Sequence, residues 1–165
     1  MRQLLLALCV SWVASNAIVG THNLPKEKPL ASVTLPDDWK AEEYAEGEGV
    51  EAVSADGAVY IAIETTDADN LEDAMKEAAE YLALKGVMFD QESMKKTEQK
   101  LNGMDVINVA WDGESDDGPA KINLAVVSVT PEQGLLMVCW ASPESEQKHQ
   151  EELTKIAQSI RKAGN

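Results

Sequence analysis

The sequence predicts an α+β fold, an α/β/α sandwich in which a mainly antiparallel sheet is flanked by helices. Three observations carry that reading. The first is the stretch Ala120 to Ala141, where two aliphatic and β-branched runs are separated by Pro131-Glu132-Gln133-Gly134, the pattern of a hairpin. Both faces of this hairpin are apolar: Ile122, Leu124 and Val126 oppose Ala125, Val127 and Val129 in one arm, and Leu136, Val138 and Trp140 oppose Leu135, Met137 and Cys139 in the other. A hairpin with water on one side would alternate apolar with polar, so this one is expected at the centre of a sheet covered on both faces. The second observation is the pair of dipeptides Asp56-Gly57 and Asn102-Gly103, each between strand-like arms and each tolerant of the positive φ that tight hairpins demand. The third is a pair of helical periodicities, Leu71 to Lys85 and Pro143 to Lys162, whose apolar stripes need a sheet to pack on.

Met1-Arg2-Gln3 precedes an almost unbroken apolar run from Leu4 to Val13, and Ser15 and Ala17 supply a small-x-small ending. Residues 1–17 thus have the pattern of a secretory signal peptide, with cleavage expected near Ala17 and a periplasmic or secreted bacterial location. The apolar run is shorter than the about 20 residues a bilayer span needs, and no membrane span is expected in the mature chain. Cys9 follows Leu8 rather than a small residue, which argues against lipidation. Residues 18–30 hold Gly20, Asn23, Pro25 and Pro29 with mixed charge and no period, and are expected as a flexible tether. A single α+β domain is expected over 31–163.

Ser32 to Pro36 reads as a short strand, and the turn-prone Pro36-Asp37-Asp38 then folds Trp39 back onto the sheet. Lys40 to Gly49 is acidic and expected as a loop. Val50 to Ser54 and Ala58 to Glu64 are the arms of the Asp56-Gly57 hairpin. Asp69 is the expected cap of the first helix, Leu71, Ala74, Met75, Ala78 and Leu82 form its buried stripe, and Gly86 stops it. Val87 to Leu101 has little to bury, and its lysines suit an edge strand that must avoid pairing with other chains. In Met104 to Asp112 the residues Ile107, Val109 and Trp111 share a face, and Gly113 to Pro119 is expected as an acidic connecting loop. Ser142 caps the last helix, Pro143 takes its first position, and Glu144 and Glu146 suit its positive end. Leu153, Ile156, Ala157 and Ile160 give that helix its apolar stripe.

The chain holds 14 Lys and Arg against 29 Asp and Glu, a formal net charge of −15. Such a surface repels nucleic acid and anionic membranes, and it suits solubility or a cationic partner. Of its two cysteines only Cys139 would survive cleavage, so no intramolecular disulfide is expected and packing must hold the fold. Trp39, Trp111 and Trp140 are the large aromatics available to anchor it.

Candidate chemistry is sparse. Asp112, Glu114, Asp116 and Asp117 bring four carboxylates into 112–118, and a divalent cation such as calcium is the alternative function to consider, since hard cations want several converging oxygens. The calcium-loop pattern fails at its sixth position, Asp117 in place of glycine, and at its twelfth, Asn123 in place of glutamate. An acidic solvated turn is therefore the expected reading. A thiol hydrolase would have to use Cys139 and a histidine such as His149. Yet a greasy mid-strand setting raises a thiol's pKa where a nucleophile needs it lowered. His149, between Lys148 and Gln150, is expected on the polar face of the last helix, in solvent. No Gly-x-Ser-x-Gly, His-Glu-x-x-His or phosphate-cradling glycine loop occurs, so no catalytic residue and no cofactor is expected. Glu42, Glu43, Glu46, Glu48 and Glu51 with Tyr44 form an acidic stretch, expected as a solvated face, with a basic partner or a cation as the alternative.

The order of elements, the run Leu35-Pro36-Asp37-Asp38-Trp39 and the closing Ile156-Ala157-Gln158-Ser159-Ile160 resemble the Mog1/PsbP-like fold, including bacterial envelope proteins of the DcrB kind. The likeness covers about Ala31 to Ala163 and rests on topology more than on motif. It implies a curved antiparallel sheet flanked by helices, in a non-catalytic accessory domain that binds a protein partner or small ligand. Because members of that fold bind partners as different as photosystem subunits and a small GTPase, the resemblance implies an unknown envelope protein or ligand here and assigns no site residue.

Overall fold

The computed structural model describes residues 19–67 and 71–164, so the expected signal peptide and the Asp69 cap lie outside the described residues. Its strands are β1 (Val19–Leu24), β2 (Ala31–Pro36), β3 (Lys40–Tyr44), β4 (Gly49–Val53), β5 (Val59–Asp67), β6 (Met88–Phe89), β7 (Lys95–Leu101), β8 (Met104–Ser115), β9 (Gly118–Ser128), β10 (Gln133–Ala141) and β11 (Arg161–Lys162). Helix α1 (Leu71–Leu84) separates β5 from β6, and α2 (Pro143–Lys148) and α3 (Gln150–Ser159) follow β10. The large sheet runs β3-β4-β5-β10-β9-β8-β6, with β7 also paired to β8, and every pair in it is antiparallel. β1, β2 and β11 form a second, three-stranded sheet.

The apolar central hairpin is β9 and β10, and β10 sits between β5 and β9 with Trp140 opposite both Tyr60 and Ile122. Leu136, Val138 and Trp140 are buried on the face that α1 covers with Ala74, Ala78, Tyr81 and Leu82. Leu135 and Ala141 are buried on the other face, in one cluster with Val33 and Leu35 of β2 and Ile156 of α3. Each fully buried aliphatic side chain is worth about 1.5 to 3 kcal/mol, and these two clusters supply the cohesion that no disulfide provides. On the second face Met137 and Cys139 are only partly covered, and that gap shapes the site described below.

Several local expectations hold. Asn102 (φ 52°) and Gly103 (φ 84°) both take the left-handed conformation that joins β7 to β8 in a tight turn. α1 stops at Gly86, where the Val87 N–H reaches back to the Leu82 carbonyl at 2.9 Å. The Ser142 hydroxyl accepts the Ser145 N–H at 3.2 Å, with Pro143 in the first turn. β7 is an exposed edge carrying Lys95, Lys96 and Lys100.

Four expectations are corrected. The tether 18–30 instead supplies β1, which pairs with β2 along its whole length and buries Leu24. Leu30 packs partly buried against the same core, and most of the tether's other described side chains are polar or exposed, so no period betrays it. The loop expected over Lys40 to Gly49 contains edge strand β3, exposed along most of its length. Such a strand is held by its ladder to β4 rather than by burial. The acidic loop Gly113 to Pro119 shrinks to a two-residue turn, because β8 continues to Ser115 and β9 begins at Gly118. The last helix is two helices: His149 (φ −96°, ψ 8°) breaks it, and Arg161 and Lys162 leave it to pair with β2.

Candidate functional site

The four acidic candidates are spread rather than converged. The Asp112 carboxylate accepts from Lys121 across the β8–β9 ladder, and that ammonium holds its carboxyl below the usual carboxylate range. Glu114 lies opposite Pro119 on β8, and Asp116 and Asp117 form the turn. The Asp117 N–H donates to the Ser115 hydroxyl at 3.3 Å, and the Asp116 carboxylate lies against Gly86 at the end of α1. Among the described residues no group of three or more His, Cys, Asp and Glu side chains is placed to hold a metal ion. A specific ion present at about 100 times its Kd would add roughly 2.7 kcal/mol and raise the Tm by several degrees. Millimolar calcium is expected to move the Tm no more than magnesium does. A larger calcium shift, abolished by Asp112→Asn with Asp116→Asn, would make the turn a site.

The acidic stretch is mostly exposed, as a solvated face would be, with some of its carboxylates partnered. Glu43 pairs with Lys26, Glu48 accepts the Thr65 hydroxyl at 2.8 Å, and Glu51 accepts both Tyr81 Oη at 2.9 Å and Lys85 Nζ at 3.0 Å. Tyr44 meets Tyr81 edge-on, with ring centroids 5.4 Å apart. Behind them Glu64 on β5 is pushed up to about 7 by burial and by Glu77 of α1, a feature the sequence pattern did not reveal.

His149 is the clearest correction among the site candidates. It is only 8% exposed, with Nδ1 2.6 Å from Glu152 Oε2 and Nε2 2.9 Å from Asp56 Oδ2. Lys148 Nζ donates to that same Asp56 oxygen at 2.6 Å. The ring clamps the β4–β5 turn to the α2–α3 break. Glu152 first, and Asp56 after it, raise the imidazole above its ordinary pKa, since both ring nitrogens face carboxylate oxygens. A raised value means that the clamp's stability is complete below the unfolded pKa of about 6.5 and is lost as pH rises through the folded value. Both carboxylates are partly open to solvent, which screens the interaction. His149→Gln is therefore expected to lower stability at about pH 5.5, and the loss should shrink as pH rises through the raised folded value. A constant difference across that rise in urea titrations would contradict a charged clamp.

Recesses border the large sheet at several places; one between β5 and α1, about 540 Å³, is lined by polar and charged side chains, and two others have more apolar linings. Of these two, the one beside α1 encloses about 700 Å³ and is bordered by Tyr60, Tyr81, Trp140, Glu51, Lys85 and Asp117. Its aromatics pack on each other, with Tyr60 stacked on Trp140 at 5.0 Å and Trp140 only 7% exposed, while Glu51 is already satisfied. They are core.

The other recess, about 530 Å³, is a groove between α2–α3 and the uncovered part of the opposite sheet face. Val106, Ala125, Val127, Met137 and Cys139 make its floor, and Leu153 and Ala157 of α3 make a wall. It exists because Ile156 and Ile160 draw α3 toward β2, and Ser159 Oγ accepts the Thr34 N–H at 2.8 Å. The helix thus leans over one side of the sheet and leaves Ala125, Met137 and Cys139 of β9 and β10 only partly covered. Amide side chains rim the groove: Gln99, Asn108, Gln147 and Gln150. The apolar surroundings of the Cys139 sulfur push its thiol up to about 12, the opposite of an activated nucleophile.

Sequence comparison finds no matching family model and no matching curated protein. The structure is similar to that of cyanobacterial PsbP from Synechocystis, with a TM-score of 0.59 and 8% identity over 91% of this chain and 95% of that one. It is similar to the Ran-binding protein Mog1p of Saccharomyces cerevisiae, at 0.53 and 10% over 87% and 94%. It also resembles LpqN of Mycobacterium tuberculosis, involved in cell envelope biogenesis, at 0.54 and 11% over 87% and 90%. At these identities the likeness is one of fold, and it spans most of each chain. With its antiparallel sheet, covering helices and short second sheet, the chain has the Mog1/PsbP-like fold.

Proposed function

We propose that this chain is an exported, non-catalytic accessory domain that binds a partner or small ligand in the groove between α3 and strands β7 to β10. The half-covered sheet face carries this reading. Binding clefts are recesses of about 300 to 1,000 Å³, lined mainly by apolar groups with a few polar ones at defined places, and the groove has that volume and that lining. The leader pattern of residues 1–17 supports export. So does the likeness to LpqN, a protein involved in cell envelope biogenesis. Kinship to DcrB-type envelope proteins belongs to the same proposal.

Protein recovered from an exported fraction tests it. Its intact mass should correspond to a chain beginning after Ala17. Native mass spectrometry or co-purification should find a bound molecule or partner on wild type that Ala125→Phe, which fills the groove from its floor, does not retain. Equal retention by the filled variant would overturn the groove as the binding surface.

A further inference from the structure

We propose that the groove takes the hydrocarbon chain of a single-chain amphiphile whose polar head is uncharged. The inference rests on the binding reading above and adds the chemistry of the occupant.

The floor favours a hydrocarbon chain over an extended peptide. Strands β8, β9 and β10 use their backbone N–H and C=O groups in the β8–β9 and β9–β10 ladders. An extended peptide laid across Ala125 and Met137 would find no backbone partner there, and each buried, unpaired peptide group costs on the order of 1 to 3 kcal/mol. A hydrocarbon chain carries no such groups. It gains only from covering methyl and thioether surface that α3 leaves open.

The rim settles the head. In a chain of net charge −15, the groove lining holds one charged side chain, Glu146. Asn123 Nδ2 already donates to its Oε1 at 2.7 Å. Among the described residues no Lys, Arg or His lines the groove, so a carboxylate or phosphate head would sit unpaired beside Glu146 in a negative field. The remaining polar groups at the mouth are the side-chain amides of Gln99, Asn108, Gln147 and Gln150, with the Thr154 hydroxyl. Each amide offers both a donor and an acceptor, the complement of a head bearing hydroxyls.

Carbon-13 methyl spectra of methionine report on this directly, because Met137 lies on the groove floor whereas Met88 and Met94 are exposed outside it. The exported protein is titrated with decyl maltoside, decanoate or decyltrimethylammonium, each below its micelle concentration. Decyl maltoside is expected to shift Met137 saturably, with decanoate and decyltrimethylammonium at least about tenfold weaker. Ala125→Phe should abolish the shift, and so should Thr154→Phe, which narrows the groove from the α3 side without touching the sheet. A silent Met137, a shift shared equally by Met88 and Met94, or one that survives in both variants overturns the proposal. Tighter binding of decanoate or of the cation overturns the uncharged head. If Met137 stays silent while Ala125→Phe still strips a retained molecule, the amphiphile falls and the binding reading stands.

Discussion

Trp140→Ala is expected to cost about 3 to 5 kcal/mol, the range for deleting a buried large aromatic. Trp140 stands near the C-terminal end of β10, opposite Tyr60 on one neighbouring strand and Ile122 on the other. Tyr60 stacks on it almost parallel at 5.0 Å, and Tyr81 of α1 meets it edge-on at 5.9 Å. Truncation removes both ring contacts and leaves a cavity under α1, which neither the paired strands nor a helix anchored by Ala74, Ala78 and Leu82 can close. In a domain of this size the Tm should fall by roughly 10 °C or more. A urea midpoint close to wild type would show that Trp140 is not the centre of the α1-side core.

Gly113→Ala should cost about 3 kcal/mol, at the upper end for overpacking. A Cβ at Gly113 would stand 2.3 Å from the Met88 carbonyl oxygen and 2.5 Å from Ile122 Cδ1. The isoleucine tip can rotate away, but the carbonyl belongs to β6, whose ladder partners are Gly113 and Glu114. Relief therefore means detaching β6 and loosening Phe89 from Trp111, whose rings now lie 5.2 Å apart. Hydrogen exchange should accelerate at Met88 and Phe89 along with the loss of global stability. Gly57→Ala is the control: nothing stands within 4 Å of its Cβ position, and only the left-handed backbone at φ 76° objects, a cost of about 1 to 2 kcal/mol. Equal effects of the two substitutions would contradict the clash.

What the sequence made legible follows from how each element is held. The central hairpin and α1 announce themselves because burial sets their period: Ile122, Leu124, Val126, Ala74 and Ala78 are all buried as their spacing requires. The Asp-Gly and Asn-Gly turns are local chemistry and need no tertiary help. β1 and β3 were hidden because edge strands are held by backbone pairing, and most of their described side chains are polar. The small sheet joins residues 19–36 to residues 161–162, a long-range pairing that no local window contains. His149 looked solvated for the same reason: Glu152 is one turn away, but Asp56 lies 93 positions upstream, and only the fold brings it to Nε2. The groove was invisible because every residue in it has an ordinary reading alone. Met137 and Cys139 look like core, Gln147 and Gln150 like a solvated helix face, and the gap between them depends on where Ile156 and Ile160 pull α3.

That gap is tested most directly through Cys139. In folded protein of the mature length a small apolar methanethiosulfonate should form a single adduct on Cys139 without prior unfolding. Its rate should climb with pH toward the raised thiol value of about 12, and Ala125→Phe should slow it by at least about tenfold. Modification that occurs only at the rate of global unfolding, and equally in wild type and Ala125→Phe, would mean that α2–α3 closes the sheet face and that no open groove exists.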